Sequence, residues 1–421
     1  MSPRFGTRML APFGVRAFRF QWPADLAASC AFEMETLALA WFILSETGSV
    51  MLLGVFASLQ YLGTLLAPFV GMVGDRVSHR RLLCAMRAVY LVLAALLCAL
   101  AFADALGPVE VFAVAALAGL VRASDFGERN VLISETMPAD RLLGALGLSR
   151  ITADGARALG AVAGAGMVAA LGLGWAYVVV LGLYAVSLVL TAGAGAPTGS
   201  TGPDAGIRVP GAARFSPWRD LRAAAGLVWA LPPQRAVMCL AFLVNIATYP
   251  FILGLLPYVA REIYGTGQAG LGYMVATTAL GCVAASVLLG SLEGRLLPAR
   301  SMIVFCLIWQ CLTLALGLTQ NLAIGLLVLA ATGIVQGMCM VPMTVIQLRN
   351  APPELRGRIA GLRTLAVYGL PLGLWISGPM IEAVGFAATA AIYAGIGLAG
   401  TLAMLIAWRV HLWPASAPAN R

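Results

Sequence analysis

The stretch WPADLAASCAFEMETLALAWFIL, residues 22–44, has the length and apolar content of a membrane-crossing helix, yet it holds Asp25, Glu33 and Glu35. A helix needs about 20 predominantly apolar residues to cross the hydrocarbon core of a bilayer. A carboxylate near the bilayer centre costs at least about 2.5–3.5 kcal/mol. Charges kept inside a membrane almost always face a bundle interior or a watery path. Three acids in one span therefore predict a helix with a working inner face.

Long apolar runs fill the rest of the chain. Of its 421 residues, 61% are hydrophobic and 11% charged, where an ordinary soluble domain is roughly 25% charged. The composition predicts an all-α integral membrane protein. Runs long enough to span lie at about 18–45, 51–74, 82–103, 108–132, 140–171 and 173–192. A second set lies at about 234–259, 268–290, 300–319, 321–347, 354–384 and 386–409. The pattern predicts twelve transmembrane helices in two six-helix bundles, residues 1–192 and 234–421. The intervening residues 193–233 open with the Gly-, Pro- and Ser-rich GAGAPTGSTGPDAGIRVPGAARFSP, a flexible linker by composition. WRDLRAAAGLVWAL follows, with the pattern of a short amphipathic helix on the membrane surface.

The net charge of +9 comes from 27 basic residues, all of them Arg. They are scattered through short loops rather than gathered into a patch, which argues against nucleic acid as a partner. With the N-terminus in the cytoplasm, nearly all loop arginines fall on the cytoplasmic side and Arg261 alone on the other. That asymmetry follows the positive-inside rule and places both termini in the cytoplasm. The eight cysteines stand singly in apolar runs, with no paired spacing that suggests a metal. No phosphate loop or nucleophile motif is present, and no loop is long enough for a soluble catalytic domain. The chain is expected to be no enzyme and to need no cofactor or metal.

The halves resemble each other weakly. GMVGDRVSHRR from Gly71 answers to GSLEGRLLPAR from Gly290, and PADRLLGALGL from Pro138 answers to PELRGRIAGL from Pro353. Parallel six-helix repeats point to a transporter with its site at the repeat interface.

At this point the chain resembles the major facilitator superfamily. GMVGDRVSHRR is similar to that family's loop signature at Gly71, Asp75, Arg76 and Arg80, while Ser78 and His79 stand where the family has Gly and Arg. Residues 18–54, the Arg129 region and QLRNAPPELRGRIAGL look like the bacterial exporter branch that includes the enterobactin exporter and multidrug efflux proteins. The resemblance implies alternating access between two bundles, usually driven by proton antiport, in a bacterial inner membrane. Gly71, Asp75, Arg76 and Arg80, with Glu128 at the end of span 4, are expected to form a cytoplasmic gate.

Within the membrane, Asp25, Ser29, Glu33 and Thr36 fall on about an 80° arc of an ideal helix, with Glu35 on its flank. Span 4 carries Arg122, Asp125 and Arg129 on one stripe, and span 5 carries Arg150, Asp154 and Arg157 on another. In the family's fold spans 1, 4 and 5 adjoin, so these groups can pair. Arg does not titrate in proteins, and His79 and His411 read as loop and tail residues. The proton carriers are therefore expected among carboxylates: Glu33 first, then Asp25, Glu35 and Asp154, with Arg122 and Arg150 as switches. Arg87 and Glu128 read as groups near the cytoplasmic end that snorkel. The second half offers neutral cavity chemistry: Asn245, Tyr249, Gln336, Met340, Arg363 and Tyr368, faced by Tyr61. Met and aromatic side chains suit varied ligands.

The sequence thus predicts a monomeric secondary transporter exporting amphipathic drug- or siderophore-like small molecules, with protons and the lipid bilayer as its other partners. The alternatives are uptake of a nutrient or lipid, and a non-transporting membrane sensor.

Overall fold

The computed structural model describes residues 11–65, 77–194, 226, 228–292, 297–349, 363 and 365–413. No strand occurs among them; the regular elements are helices. We label the principal α-helices α1 Arg16–Thr47, α2 Val50–Leu59, α3 His79–Phe102, α4 Pro108–Thr136, α5 Ala139–Leu171 and α6 Leu173–Gly193. They continue as α7 Pro232–Ala247, α8 Gln268–Ser291, α9 Pro298–Leu318, α10 Leu322–Arg349, α11 Gly369–Val384 and α12 Phe386–Ala407.

Among the described residues, eight helices are long and apolar enough to cross a membrane, including α1, α3, α6, α9 and α12. The other expected spans depart from a plain apolar rod for separate reasons. The α4 and α5 helices have 29 and 33 residues and carry the charged stripes. Expected span 2 is described only as far as residue 65. Expected span 7 is broken: α7 ends at Ala247, and wide π turns follow at Pro250–Gly254 and Val259–Ile263. Pro250 and Pro257 have no backbone N–H to offer the preceding turn, which is why a regular helix does not continue here.

Helix ends follow local chemistry. Pro occupies the first helical positions of α4, α7 and α9, where a missing N–H costs nothing. The α2 helix starts at Ser49, whose hydroxyl accepts from the Leu52 N–H at 3.3 Å. The junctions α5–α6 and α11–α12 are each a single residue, Gly172 at φ 82°, ψ 172° and Gly385 at φ 83°, ψ 166°. Only glycine adopts that backbone without strain. The same turn thus recurs in the two halves, in line with the repeat read from sequence.

The chain divides into two compact units, Met1–Leu39 with Leu62–Pro217 and Ala40–Tyr61 with Trp218–Arg421, and the boundary falls inside α1. In the first unit, Gly160 and Gly164 of α5 lie against Cys30, Glu33 and Met34 of α1. Small residues permit this close approach, since helices in lipid associate through packing rather than hydrophobic expulsion. In the second unit, Gly281 of α8 and Gly333 of α10 bring those helices together, and Gly54 of α2 meets Leu374 of α11. There Arg261 donates to the Leu44 carbonyl near the end of α1 at 2.6 Å.

Candidate functional site

The charged residues singled out in the first half converge inside the first unit, on the inner faces of α1, α3, α4, α5 and α6. The helical repeat of α1 sets the order. Asp25, Ser29 and Glu33, four residues apart, lie one above another, and each meets a guanidinium: Arg87 and Arg129 at Asp25, Arg129 at Ser29 and Arg157 at Glu33.

Asp25 is buried and in direct contact with Arg87 of α3, whose side chain is 0% exposed. The Arg87 guanidinium also reaches Thr191 and the Ser187 carbonyl of α6. Arg129 of α4 approaches the Asp25 carboxylate at 3.7 Å and contacts Asp125 on its own helix. It donates to Ser29 Oγ at 2.9 Å. The cluster is closed, each buried charge answered by another, as burial demands.

Farther along α1 the pairs loosen. Glu33 faces Arg157 of α5 at 3.6 Å, with side chains 17% and 33% exposed. Asp154 and Arg150 stand 3.4 Å apart. Both distances sit at or beyond the long end of a hydrogen bond. Glu33, Asp125 and Asp154 share a cavity of about 180 Å³ with Arg122, Arg129, Arg150 and Arg157. That volume falls short of the about 300 Å³ of a small-molecule pocket. By itself it is a small ionic chamber.

Glu35 points to the other flank of α1. It is buried, and its carboxylate accepts from the Tyr184 hydroxyl of α6 at 3.0 Å. Arg122 lies against the ring of Phe32. The structure thus gathers Glu33, Asp154, Arg122 and Arg150 at one chamber, puts Asp25 in the closed cluster and sets Glu35 among tyrosines.

In the second unit Gln336 donates to the Tyr249 hydroxyl at 3.3 Å, and Tyr368 donates to the Tyr61 carbonyl at 3.4 Å. Asn245 instead turns back to the Ala241 carbonyl of its own helix. Arg363 donates to Thr344 and Gln347 of α10 at 2.7 and 3.2 Å. Met340 is partly buried on α10.

Of the expected cytoplasmic gate, Gly71, Asp75 and Arg76 lie outside the described residues. Arg80 donates to the Ala192 carbonyl at 3.4 Å. Glu128 is buried rather than snorkelling: His79, the first residue of α3, holds it at 2.5 Å and reaches Glu135 at 3.4 Å. The expected loop position of His79 is thus corrected to a buried one. Its signal was present in the spacing of Glu128 and Glu135, seven residues apart on one face of α4. Arg87 likewise does not snorkel. It occupies the buried stripe of α3 with Leu83, Met86 and Tyr90, a stripe the sequence shows at helical spacing.

A helical membrane protein with acidic and basic side chains gathered around an interior cavity is the build of a transporter, and the overall fold is that of the major facilitator type. The transmembrane secretion effector family matches residues 7–421, and the chain belongs to that family. The fold is similar to a nucleoside transporter, NupG (D323A mutant), with TM-score 0.72 and 14% identity over 93% of this chain and 100% of that one. It is also similar to a bacterial homolog of the human lysosomal transporter Spinster, inward-facing and unoccupied, with TM-score 0.67 and 15% identity over 93% and 94%. A POT family transporter in complex with a thioalcohol conjugated peptide matches with TM-score 0.73 and 10% identity over 93% and 96%. No curated protein matches the sequence. The family and these structures are transporters, not enzymes, and the chain is a multi-pass membrane transporter of the major facilitator type.

Proposed function

We propose that the chain exports amphipathic small molecules across a bacterial inner membrane in exchange for protons. It would act as a monomer with both termini in the cytoplasm and twelve spans, its two six-helix bundles joined by residues 193–233. One observation carries the reading: Glu33 and Asp154 line an ionic chamber and stand in long ion pairs to Arg157 and Arg150. A carboxylate paired with a guanidinium holds its charge, and one separated from it and desolvated takes up a proton. Sliding of α5 against α1 would switch Glu33 between these conditions. Glu35, buried against Tyr184, is a second acid on the same helix able to receive a proton. The Tyr249–Gln336 and Tyr61–Tyr368 pairs supply aromatic and amide surface for an amphipathic ligand. The family's description as secretion effectors supports the outward direction.

The test is transport in everted membrane vesicles with an imposed proton gradient. An acidic lumen should drive a fluorescent amphipathic cation or anion into the lumen, and collapsing the gradient should stop it. Accumulation that ignores the gradient, or flow only in the opposite direction, contradicts the reading.

A further inference from the structure

The second unit contains a cleft of about 510 Å³. Its walls come from Val228 and Trp229, from α7 between Arg235 and Ile246, from Leu365 and Ala366 ahead of α11, and from Met404 of α12. The lining is apolar except for one charged residue, Arg235. The volume falls within the about 300–1,000 Å³ of small-molecule sites.

Arg235 is the anomaly. It sits in the first turns of α7, partly buried, with its Nε out of contact with solvent and without a hydrogen-bond partner. Its guanidinium lies 6.0 Å from the ring of Trp408. Among the described residues no carboxylate forms an ion pair with it. A guanidinium in an apolar cleft of a membrane protein needs an anion or water to offset its desolvation.

The cleft offers more than a charge. From Arg235 the stripe Met238, Phe242, Ile246 runs along one face of α7 at helical spacing. Arg235 to Ile246 is eleven residues, about 16 Å of rise, close to half of the about 30 Å hydrocarbon core. Phe242 is 40% exposed and Trp229 65% exposed. Indole rings of this kind mark the headgroup level of a bilayer. A cation at that level above an apolar groove one leaflet deep matches a molecule with an anionic head and an acyl chain.

We propose that this cleft binds an anionic phospholipid of the adjoining leaflet, its phosphate on Arg235 and one acyl chain along Met238, Phe242 and Ile246. The site is independent of the proton-coupling chemistry. It would make the packing of α7 against α11 and α12 sensitive to the lipid composition of the membrane.

The test is native mass spectrometry of the purified full chain, titrated with phosphatidylglycerol and with phosphatidylcholine. The wild-type protein should retain phosphatidylglycerol over phosphatidylcholine by at least about fivefold, the worth of one arginine near the membrane surface. Arg235→Gln should abolish the preference and Arg235→Lys should keep most of it. Met238→Trp, which fills the groove, should lower retention of both lipids. Arg409→Gln, an exposed arginine beside Trp408, should change nothing. Unchanged phosphatidylglycerol retention in folded Arg235→Gln protein overturns the proposal. Displacement of the lipid by inorganic phosphate alone also overturns it, because the site would then serve a soluble anion.

Discussion

Asp25 of α1 and Arg87 of α3 are in direct contact with both side chains buried, and Arg129 lies on the same carboxylate. Removing one partner of a buried pair leaves the other charge uncompensated, at a cost of about 3–5 kcal/mol. Asp25→Asn should therefore lower the melting temperature and yield of the detergent-solubilised protein more than Glu33→Gln does. Asp25→Leu with Arg87→Met should recover most of the loss. An Asp25→Asn protein that melts like the wild type would show that the contact is not structural.

Ser78 has φ 93° and ψ 124°, just before α3 and at the position where the family's loop signature has glycine. A non-glycine residue there stores about 1–3 kcal/mol of backbone strain. Ser78 is exposed and its side chain makes no capping bond, so little is lost with the hydroxyl. Ser78→Gly should raise thermal stability by about 1 kcal/mol, read from melting in detergent. A drop in stability would mean that the serine holds a contact worth more than the strain.

The opposite change applies at Gly172 and Gly385. An added Cβ would meet nothing within 4 Å at either site, so only the backbone conformation resists a side chain. Gly172→Ala and Gly385→Ala should each cost about 1–3 kcal/mol, and by similar amounts if the halves share the junction. Neutral substitutions at both would remove the conformational argument.

Much of this architecture was legible in the chain. Apolar run length foretold α1, α3, α6 and α8 to α12, because spanning a bilayer constrains length and composition together. The stripes of α4 and α5 were legible because a helix converts spacing into direction, as Arg150 and Asp154 show. Partner choice was not legible. Asp25 and Glu33 lie on one arc of α1, and nothing in their spacing says that one meets a sealed guanidinium and the other a more distant, partly exposed one. That depends on whether Arg87 of α3 or Arg157 of α5 arrives opposite, which is tertiary. The break after α7 was marked by Pro250 and Pro257 but hidden under an unbroken apolar run.

Arg261 is the one arginine of the expected outer loops, and it donates to the Leu44 carbonyl near the end of α1 at 2.6 Å. That carbonyl also accepts from the Gly48 N–H at 3.0 Å, so the guanidinium is its second donor, and a cation there suits the negative end of the helix dipole. Arg261→Ala should cost about 1.5–3 kcal/mol in thermal stability, the range for a hydrogen bond to a charged group. Arg261→Lys should retain part of it. Equal stability of Arg261→Ala and wild type would show that the second donor adds nothing to the Gly48 bond.

The central claim is that a carboxylate of α1, opposed by Arg157 in the ionic chamber, carries the proton that drives transport. Proton flux and substrate flux measured together in proteoliposomes of the Glu33→Gln protein test it most directly. The account predicts that substrate still exchanges down its gradient while proton-driven accumulation is lost. Gradient-driven accumulation in Glu33→Gln liposomes, at the wild-type ratio of protons to substrate, would contradict it.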